Sequence, residues 1–420
     1  MKYSIVTFGC RVNQAESLAL EAELRARGAR ASAPAEAEVV IVNTCSVTAS
    51  ADQGARQAIR RIARDNPAAR VVVTGCYATR RPDEAAALPN VVRVIANAHK
   101  ESVADEVTTA HRYGDGDGAC GAPLEPGVGG RTALTLRVQT GCDERCSYCI
   151  IPSTRGAGRS RPLARVRDDI RRAAAAGYKE VVVTGVHLGS YGRDLGDGTS
   201  LLTLVRALAD WPQPVLFRIS SLEPMDCSDA VVDLVAASPR LAPHFHLPLQ
   251  HGSDAVLRVM ERPYTTAFYR RLVDRIHERV PGAAIGTDLI AGFPGETLAQ
   301  FEELARLLRV LPLTHLHVFP YSDRPGTAAA RLPDRIAGAD VRARAAALRE
   351  IGRALTLAFH RSQIGKLRRA LTVDDGAHAV TDNYLRLPID GRRARNEWVQ
   401  VRVGGVPGAL AAVVSDARSL

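Results

Sequence analysis

"ALTLRVQTGCDERCSYCIIPSTRG", from Ala133 to Gly156, is the stretch on which the fold turns. Its first seven residues are rich in apolar and β-branched side chains and predict a strand over 133–139. Directly behind stand Cys142, Cys146 and Cys149, in the spacing C-x3-C-x2-C. A ligand-bearing loop at the carboxyl end of a strand is where parallel sheets and βα barrels carry their chemistry. Thiolates suit zinc or an iron–sulfur cluster. Structural zinc takes four protein ligands, and neither "IIPSTRG" nor the following helix offers a fourth. A cubane cluster on three thiolates leaves one iron open, so the missing ligand marks a place for chemistry.

Downstream, strands are expected at "EVVVTGV" (180–186), "VLFRISS" (215–221), "HFHLPLQ" (244–250), "AIGTDLIAG" (284–292) and "HLHVFPYS" (315–322). Helical stretches such as "LARVRDDIRRAAAAG" and "TLAQFEELARLLRVL" fill the gaps. Six βα units in a row fit a partial or complete parallel barrel, with an open doubly wound sheet as the rival. Upstream, "YSIVTF" (3–8), "EVVIVN" (38–43), "RVVVTG" (70–75) and "VVRVIA" (91–96) alternate with helical segments and predict a parallel sheet covered on both faces. Cys10, Cys45 and Cys76 each follow one of these strands, so all three should converge at one sheet edge. The plainer alternative is three separate buried cysteines acting as small hydrophobes.

The Gly/Pro/Asp-rich run "HRYGDGDGACGAPLEPGVGGR" reads as a linker. After about Gly365, "RRALTVDD", "HAVTDNYLRLPI" and "EWVQVRVGG" predict short antiparallel strands and a small barrel. The expected division is 1–110, linker 111–131, 132–362 and 363–420. The chain is α/β: a parallel-sheet domain, a partial (βα)6 barrel and a small antiparallel β-barrel.

Composition agrees with a soluble protein of several domains: 420 residues, 46% hydrophobic and 24% charged. No apolar run reaches the ~18 residues of a membrane span, and "MKYSIVTFGC" lacks a cleavage pattern, so no membrane and a cytoplasmic location are expected. Eight cysteines are too scattered for a disulfide scaffold and suit metal ligation in a reducing compartment. Cys120 in the linker and Cys227 in "EPMDCSDA" are expected to be free thiols. The net charge of +10 is a mild pointer to a polyanion, tempered because Lys2, Lys100, Lys179 and Lys366 are the only lysines. Such arginine bias also arises from genome composition.

C-x3-C-x-aromatic-C, with Tyr148 as the aromatic, resembles the signature of radical S-adenosylmethionine (SAM) enzymes. With "GCRVNQAES", "NTCSVTASAD", "VTGCYA", "RISSLEP", "HLPLQHGSD" and "GFPGET" in the same order, the whole chain resembles the methylthiotransferases. Among the branches of that family, "GCRVNQ", "KEVVVTGVHLGSYG", "LHVFPYSDRPGT" and "TDNYLRL" look most like the one acting on N6-threonylcarbamoyladenosine of tRNA. The others modify isopentenyl-adenosine of tRNA or an aspartate of a ribosomal protein.

The resemblance implies two 4Fe–4S clusters, one on Cys142, Cys146 and Cys149 that binds SAM, the other on Cys10, Cys45 and Cys76. It further implies SAM contacts from Tyr148, Gly185, Arg218, Ser220, Glu223, Gln250 and Gly292. The place of an acidic Gly-Gly-Glu-like stretch is held by Gly185 to His187 here, so contacts from that loop should be mainly backbone. The C-terminal barrel resembles the TRAM module, with Tyr384, Arg386, Arg392, Arg393, Arg395, Arg402 and Trp398 as the cation and aromatic mixture for RNA. Implied partners are a tRNA anticodon stem-loop and an electron donor such as a flavodoxin or ferredoxin. A non-catalytic iron–sulfur or zinc RNA-binding protein is the reading of another class. His187, His246, His251 and His317 lie near strand ends without ligand spacing and are expected to be hydrogen-bonded barrel histidines.

Overall fold

The computed structural model describes residues 1–108, 126 and 132–415. Most of the 111–131 linker, Cys120 included, lies outside the described residues. The chain forms two compact units. The first holds the N-terminal residues together with Thr140–Arg159 and Ser322–Ala330; the second holds the rest.

In the first unit, strands β1 (Lys2–Thr7), β2 (Arg30–Ala31), β3 (Val39–Thr44), β4 (Arg70–Gly75) and β5 (Val91–Ile95) pair in the order β2-β1-β3-β4-β5, all parallel. Every residue of β3 is buried, as expected for a central strand covered on both faces. Val40, Val42, Val71 and Val73 pack with Ile59 and Ile62 of the helix Ala49–Asp65 on one side. Val39, Ile41 and Val72 pack with Leu24 and Val103 on the other. The helix Ala49–Asp65 starts where Thr48 caps it, its hydroxyl accepting from the Ala51 N–H. The loop from Thr140 carries the short helix Ile151–Arg155.

In the second unit, β6 (Leu134–Arg137), β9 (Glu180–Thr184) and β10 (Leu216–Ile219) form one parallel sheet. β11 (His244–His246), β12 (Ala284–Ala291) and β13 (His315–Pro320) form another. Two-residue strands β7 (Gln139–Thr140) and β8 (Arg159–Ser160) lie between β6 and β9 in sequence. Parallel bridges Phe217–Leu241 and Ser221–His246 join the two sheets into a six-stranded partial barrel. Ser200, Thr265 and Thr297 cap helices that cover it, the last in a capping box with Gln300.

The same unit ends in a nearly closed antiparallel barrel. Strands β14 (Leu367–Val373), β15 (His378–Thr381), β16 (Arg386–Pro388), β17 (Trp398–Val406) and β18 (Ala409–Ser415) run in the order β16-β15-β14-β17-β18. An Ile389–Ala412 bridge draws its two edges together. Ala370, Leu387, Val401, Val403 and Ala412 fill the interior. Among the described residues no helix is long and apolar enough to cross a membrane.

Candidate functional site: two cysteine trios

Cys10, Cys45 and Cys76 stand at the carboxyl ends of β1, β3 and β4, neighbours in the sheet, and the structure brings them together. Gly9, at φ +90°, lies so close that a Cβ there would sit 2.5 Å from Cys45 Sγ. Asn13 ties the loops, its side-chain NH2 donating to the carbonyls of Phe8 at 2.8 Å and Thr44 at 2.9 Å. Cys10 is exposed while Cys45 and Cys76 are buried. Burial pushes the Cys45 thiol up to about 11; the Val47 N–H, 3.5 Å from its sulfur, opposes this, and the neighbouring Cys10 and Cys76 add to it.

The second trio lies on the loop after β7. Gly141, at φ +74°, lets the chain turn where a Cβ would be 1.8 Å from the Ala157 carbonyl oxygen. Cys142 N–H donates to the Gly156 carbonyl at 3.0 Å, Cys149 N–H to that of Cys146 at 3.0 Å, and Ile151 N–H lies 3.5 Å from Cys149 Sγ. The three cysteines and Tyr148 are half-buried. From Ser322–Ala330, Ala329 N–H donates to the Ser147 carbonyl at 2.8 Å. Arg324 shares Asp52 Oδ2 with Arg80, each at 3.0 Å.

The Val47 and Ile151 N–H groups, each 3.5 Å from a cysteine sulfur, suit thiolate ligands. That is the fit expected of an iron–sulfur site.

A buried polar bed joins the two loops. Arg155 Nη1 donates to Glu16 Oε1 at 2.7 Å and its Nη2 to Asn13 Oδ1 at 2.6 Å. Lys100 Nζ reaches Glu16 Oε2 at 2.5 Å and Asn43 Oδ1 at 2.7 Å. Asn97 Nδ2 donates to the Thr154 carbonyl at 3.0 Å and lies 3.6 Å from Cys76 Sγ. Burial works against the Arg155 charge, but Glu16 and Cys76 outweigh it and hold the pKa above its ordinary value. Burial and the Arg155 charge lower that of Lys100, against the pull of Glu16. None of these six side chains stands out as a site residue in the sequence; Arg155 in "PSTRG" and Glu16 in "VNQAES" carry no periodic signal that pairs them.

In the second unit the remaining expected residues divide. Gly185 packs on Gln139, whose Oε1 accepts the His187 N–H at 2.9 Å. Ser220 Oγ is buried with no hydrogen-bond partner among the described residues. Gln250, at φ +65°, bridges to β12 through its backbone, its N–H donating to the Asp288 carbonyl at 2.9 Å. Gly292, at φ +75°, donates to Glu296 Oε2 at 2.6 Å, and a Cβ on it would lie 2.5 Å from Val341, so helix packing also demands this glycine.

Two of the expected residues are paired within the protein. Arg218 is fully buried, donating to Glu180 Oε1 at 2.8 Å and to the Asp382 carbonyl at 2.9 Å. Glu223 is bound by Arg262. Cys227 is buried, which, followed by the nearby Asp226 and Asp229 charges, pushes its thiol up to about 12.

In the C-terminal barrel, Arg386, Arg392 and Arg393 are exposed. Arg386 lies 2.5 Å from Asp374 and Arg392 lies 2.8 Å from Asp375. Tyr384 is covered on one face by Arg218 at 4.7 Å and lies 4.8 Å from the His244 ring, so it fastens the small barrel to the large one. Arg369 stacks 3.6 Å from the Trp398 centroid. Arg395 donates to Thr132 Oγ1 at 3.1 Å and Arg402 to the Gly365 carbonyl at 2.9 Å. The four histidines picked out from the sequence each face a carboxylate: His187 with Asp226 at 2.8 Å, His251 with Glu296 at 3.9 Å, and His246 and His317 with Asp288.

Residues 2–97 match the Uncharacterized protein family UPF0004, and residues 136–308 the Radical SAM superfamily. The threonylcarbamoyladenosine tRNA methylthiotransferase MtaB of Aquifex aeolicus is 34% identical over 96% of this chain and 100% of its own. The ribosomal protein uS12 methylthiotransferase RimO of Desulfotalea psychrophila is 31% identical over 98% and 96%. Among solved structures, the radical SAM methyltransferase TsrM of Kitasatospora setae, with cobalamin and a [4Fe-4S] cluster bound, superposes with a TM-score of 0.54 at 17% identity. That match covers 78% of this chain and 74% of the other, and it speaks for the fold alone. With both cysteine trios in place and relatives of this kind matching nearly end to end, the chain belongs to the radical SAM methylthiotransferase family.

Proposed function

We propose that this enzyme adds a methylthio group to C2 of N6-threonylcarbamoyladenosine in tRNA, at position 37 beside the anticodon. The observation that carries this reading is the end-to-end similarity to proteins of that name, in a chain that keeps two three-cysteine sites. When bound, two 4Fe–4S clusters and SAM supply a carbon radical able to break an unactivated C–H bond, together with the sulfur and methyl that replace the hydrogen.

The chain's own part is to hold and tune. Cys142, Cys146 and Cys149 would hold one cluster, and Cys10, Cys45 and Cys76 the other. The Ile151 and Val47 N–H groups and Asn97 support thiolate sulfur. Arg155 and Lys100 set positive charge beside the first-domain trio, the sign that favours ionised thiols. For SAM, Tyr148, Gly185, Ser220, Gln250 and Gly292 are the residues we assign; the buried, unpartnered Ser220 hydroxyl suits a bound polar ligand.

In this reading residues 1–110 serve the auxiliary cluster, 132–362 the radical chemistry and 363–420 the RNA. The "GRRARNE" loop, with Arg392 and Arg393 exposed, contacts the anticodon stem-loop. A flavodoxin or ferredoxin supplies electrons, and the enzyme works in the cytoplasm.

The test is mass spectrometry of nucleosides from tRNA treated anaerobically with reconstituted protein, SAM and a reductant. A 2-methylthio-N6-threonylcarbamoyladenosine peak, absent with Cys146→Ala, is the expected result. Unmodified tRNA alongside SAM cleavage would overturn the substrate and turn attention to a ribosomal protein. No SAM cleavage from intact clusters would overturn the enzyme reading itself.

A further inference from the structure

Three adjacent strands of the large barrel set two histidines and an aspartate side by side, and the reaction above uses none of them. His246 ends β11, Asp288 lies in β12 and His317 in β13. The register places His246 and His315 beside Gly286, and His317 beside Asp288. His246 Nε2 is 3.0 Å from Asp288 Oδ1, and His317 Nδ1 is 3.3 Å from the same oxygen. All three donor atoms lie within 4.8 Å of one another.

Gly286 makes room for this arrangement. A Cβ there would lie 2.1 Å from Nε2 of His315, whose ring is 5.2 Å from that of His317 and 6.1 Å from that of His246. The His317 side chain is 54% exposed and that of His246 only 13%, so the group is anchored on one side and open on the other.

Two imidazoles and a carboxylate are a donor set for borderline divalent ions, and three protein ligands with an open side are the form of a reactive rather than a structural site. Binding asks only that each ring keep its proton on the far nitrogen, leaving the near one as a lone-pair donor. Rigid neighbouring strands hold the three atoms in place without further ordering.

We propose that His246, Asp288 and His317 bind a divalent transition-metal ion of the zinc type, with its remaining positions open to an oxygen ligand. This site is independent of the cysteine clusters and of the tRNA reading. It goes beyond the hydrogen-bonded role expected of these histidines.

The experiment uses the full chain with its clusters reconstituted, exposed to Zn2+, desalted, and measured by elemental analysis and zinc K-edge X-ray absorption. One retained zinc with nitrogen and oxygen neighbours at about 2.0–2.1 Å, an imidazole scattering signature and no sulfur shell is expected. His317→Gln, the most exposed of the three, and Asp288→Asn should lose that zinc while keeping wild-type iron and sulfide. No retained zinc, zinc bound by sulfur, or zinc held equally by both variants would overturn the proposal. If a variant loses its iron as well, the wild-type absorption spectrum alone still decides the matter.

Discussion

Arg155 shows how much a single side chain carries here. It follows the 142–149 cysteine loop, yet its guanidinium is spent on Glu16 and Asn13, 139 and 142 residues away in sequence, in the helix Arg11–Ala26. Glu16 also takes Lys100, so two cations share one carboxylate beside Cys10, Cys45 and Cys76. Arg155→Met would leave Asn13 Oδ1 without this donor and remove one of the two cations from Glu16. Breaking a buried pair costs about 3–5 kcal/mol, and the surviving Lys100 contact argues for the lower end, about 3 kcal/mol. Urea unfolding of the cluster-free protein, followed by far-UV circular dichroism, measures this. Trp211 and Trp398 both lie in the second unit, so their fluorescence follows that unit by itself and should keep its midpoint. A dichroism midpoint equal to wild type would remove Arg155 from this role. No sequence pattern pairs Arg155 with Glu16, because the contact is non-local and both residues read as ordinary surface charge.

At the scale of elements, function depends on how strands end. Gly75 closes β4 at φ +98° and ψ −167°, and a Cβ on it would sit 2.2 Å from the Thr44 carbonyl oxygen and 2.6 Å from Thr44 N. That backbone region is essentially reserved for glycine and costs about 1–3 kcal/mol otherwise. The clash falls on a buried central strand that has nowhere to move. In a background where Cys142, Cys146 and Cys149 are all alanine, Gly75→Ala should therefore abolish loading of the remaining cluster, read as iron and sulfide per chain. Full loading would show that the Thr44–Cys45 and Gly75–Cys76 ends need not be so closely set. The six barrel strands and four strands of the first sheet are legible in sequence because each is a short run rich in apolar residues, most of them β-branched in the first sheet, set off by turn residues. Arg30–Ala31 is too short to show a period. "HAVTDNYLRLPI" reads as one strand but is two, since Tyr384 takes φ +72° and the Leu385 carbonyl accepts the Thr381 N–H at 2.9 Å. The closing strand β18 follows β17 through a tight turn, and its pairing with the opposite edge is a matter of barrel closure rather than of local composition.

Across the whole molecule, the charge of +10 overstates what an RNA would meet. Arg155, Arg218, Arg262 and Arg324 are buried and matched with Glu16, Glu180, Glu223 and Asp52. Such arginines serve packing and cluster support, and sequence cannot tell them from surface ones because their partners come from distant segments. Arg392 and Arg393 are exposed on a loop of the small barrel, the loop proposed above to contact the tRNA. Cations that touch phosphates release counterions, so each lost contact should flatten the dependence of log affinity on log salt by about 0.7 for single-stranded and 0.9 for duplex regions. Arg392→Ala with Arg393→Ala should therefore weaken tRNA binding most at low salt and reduce that slope by roughly 1–2. Titrations of tRNA at several salt concentrations give both quantities. Weaker binding with an unchanged slope would mean that the two arginines shape the loop and that the phosphate contacts come from elsewhere on the protein.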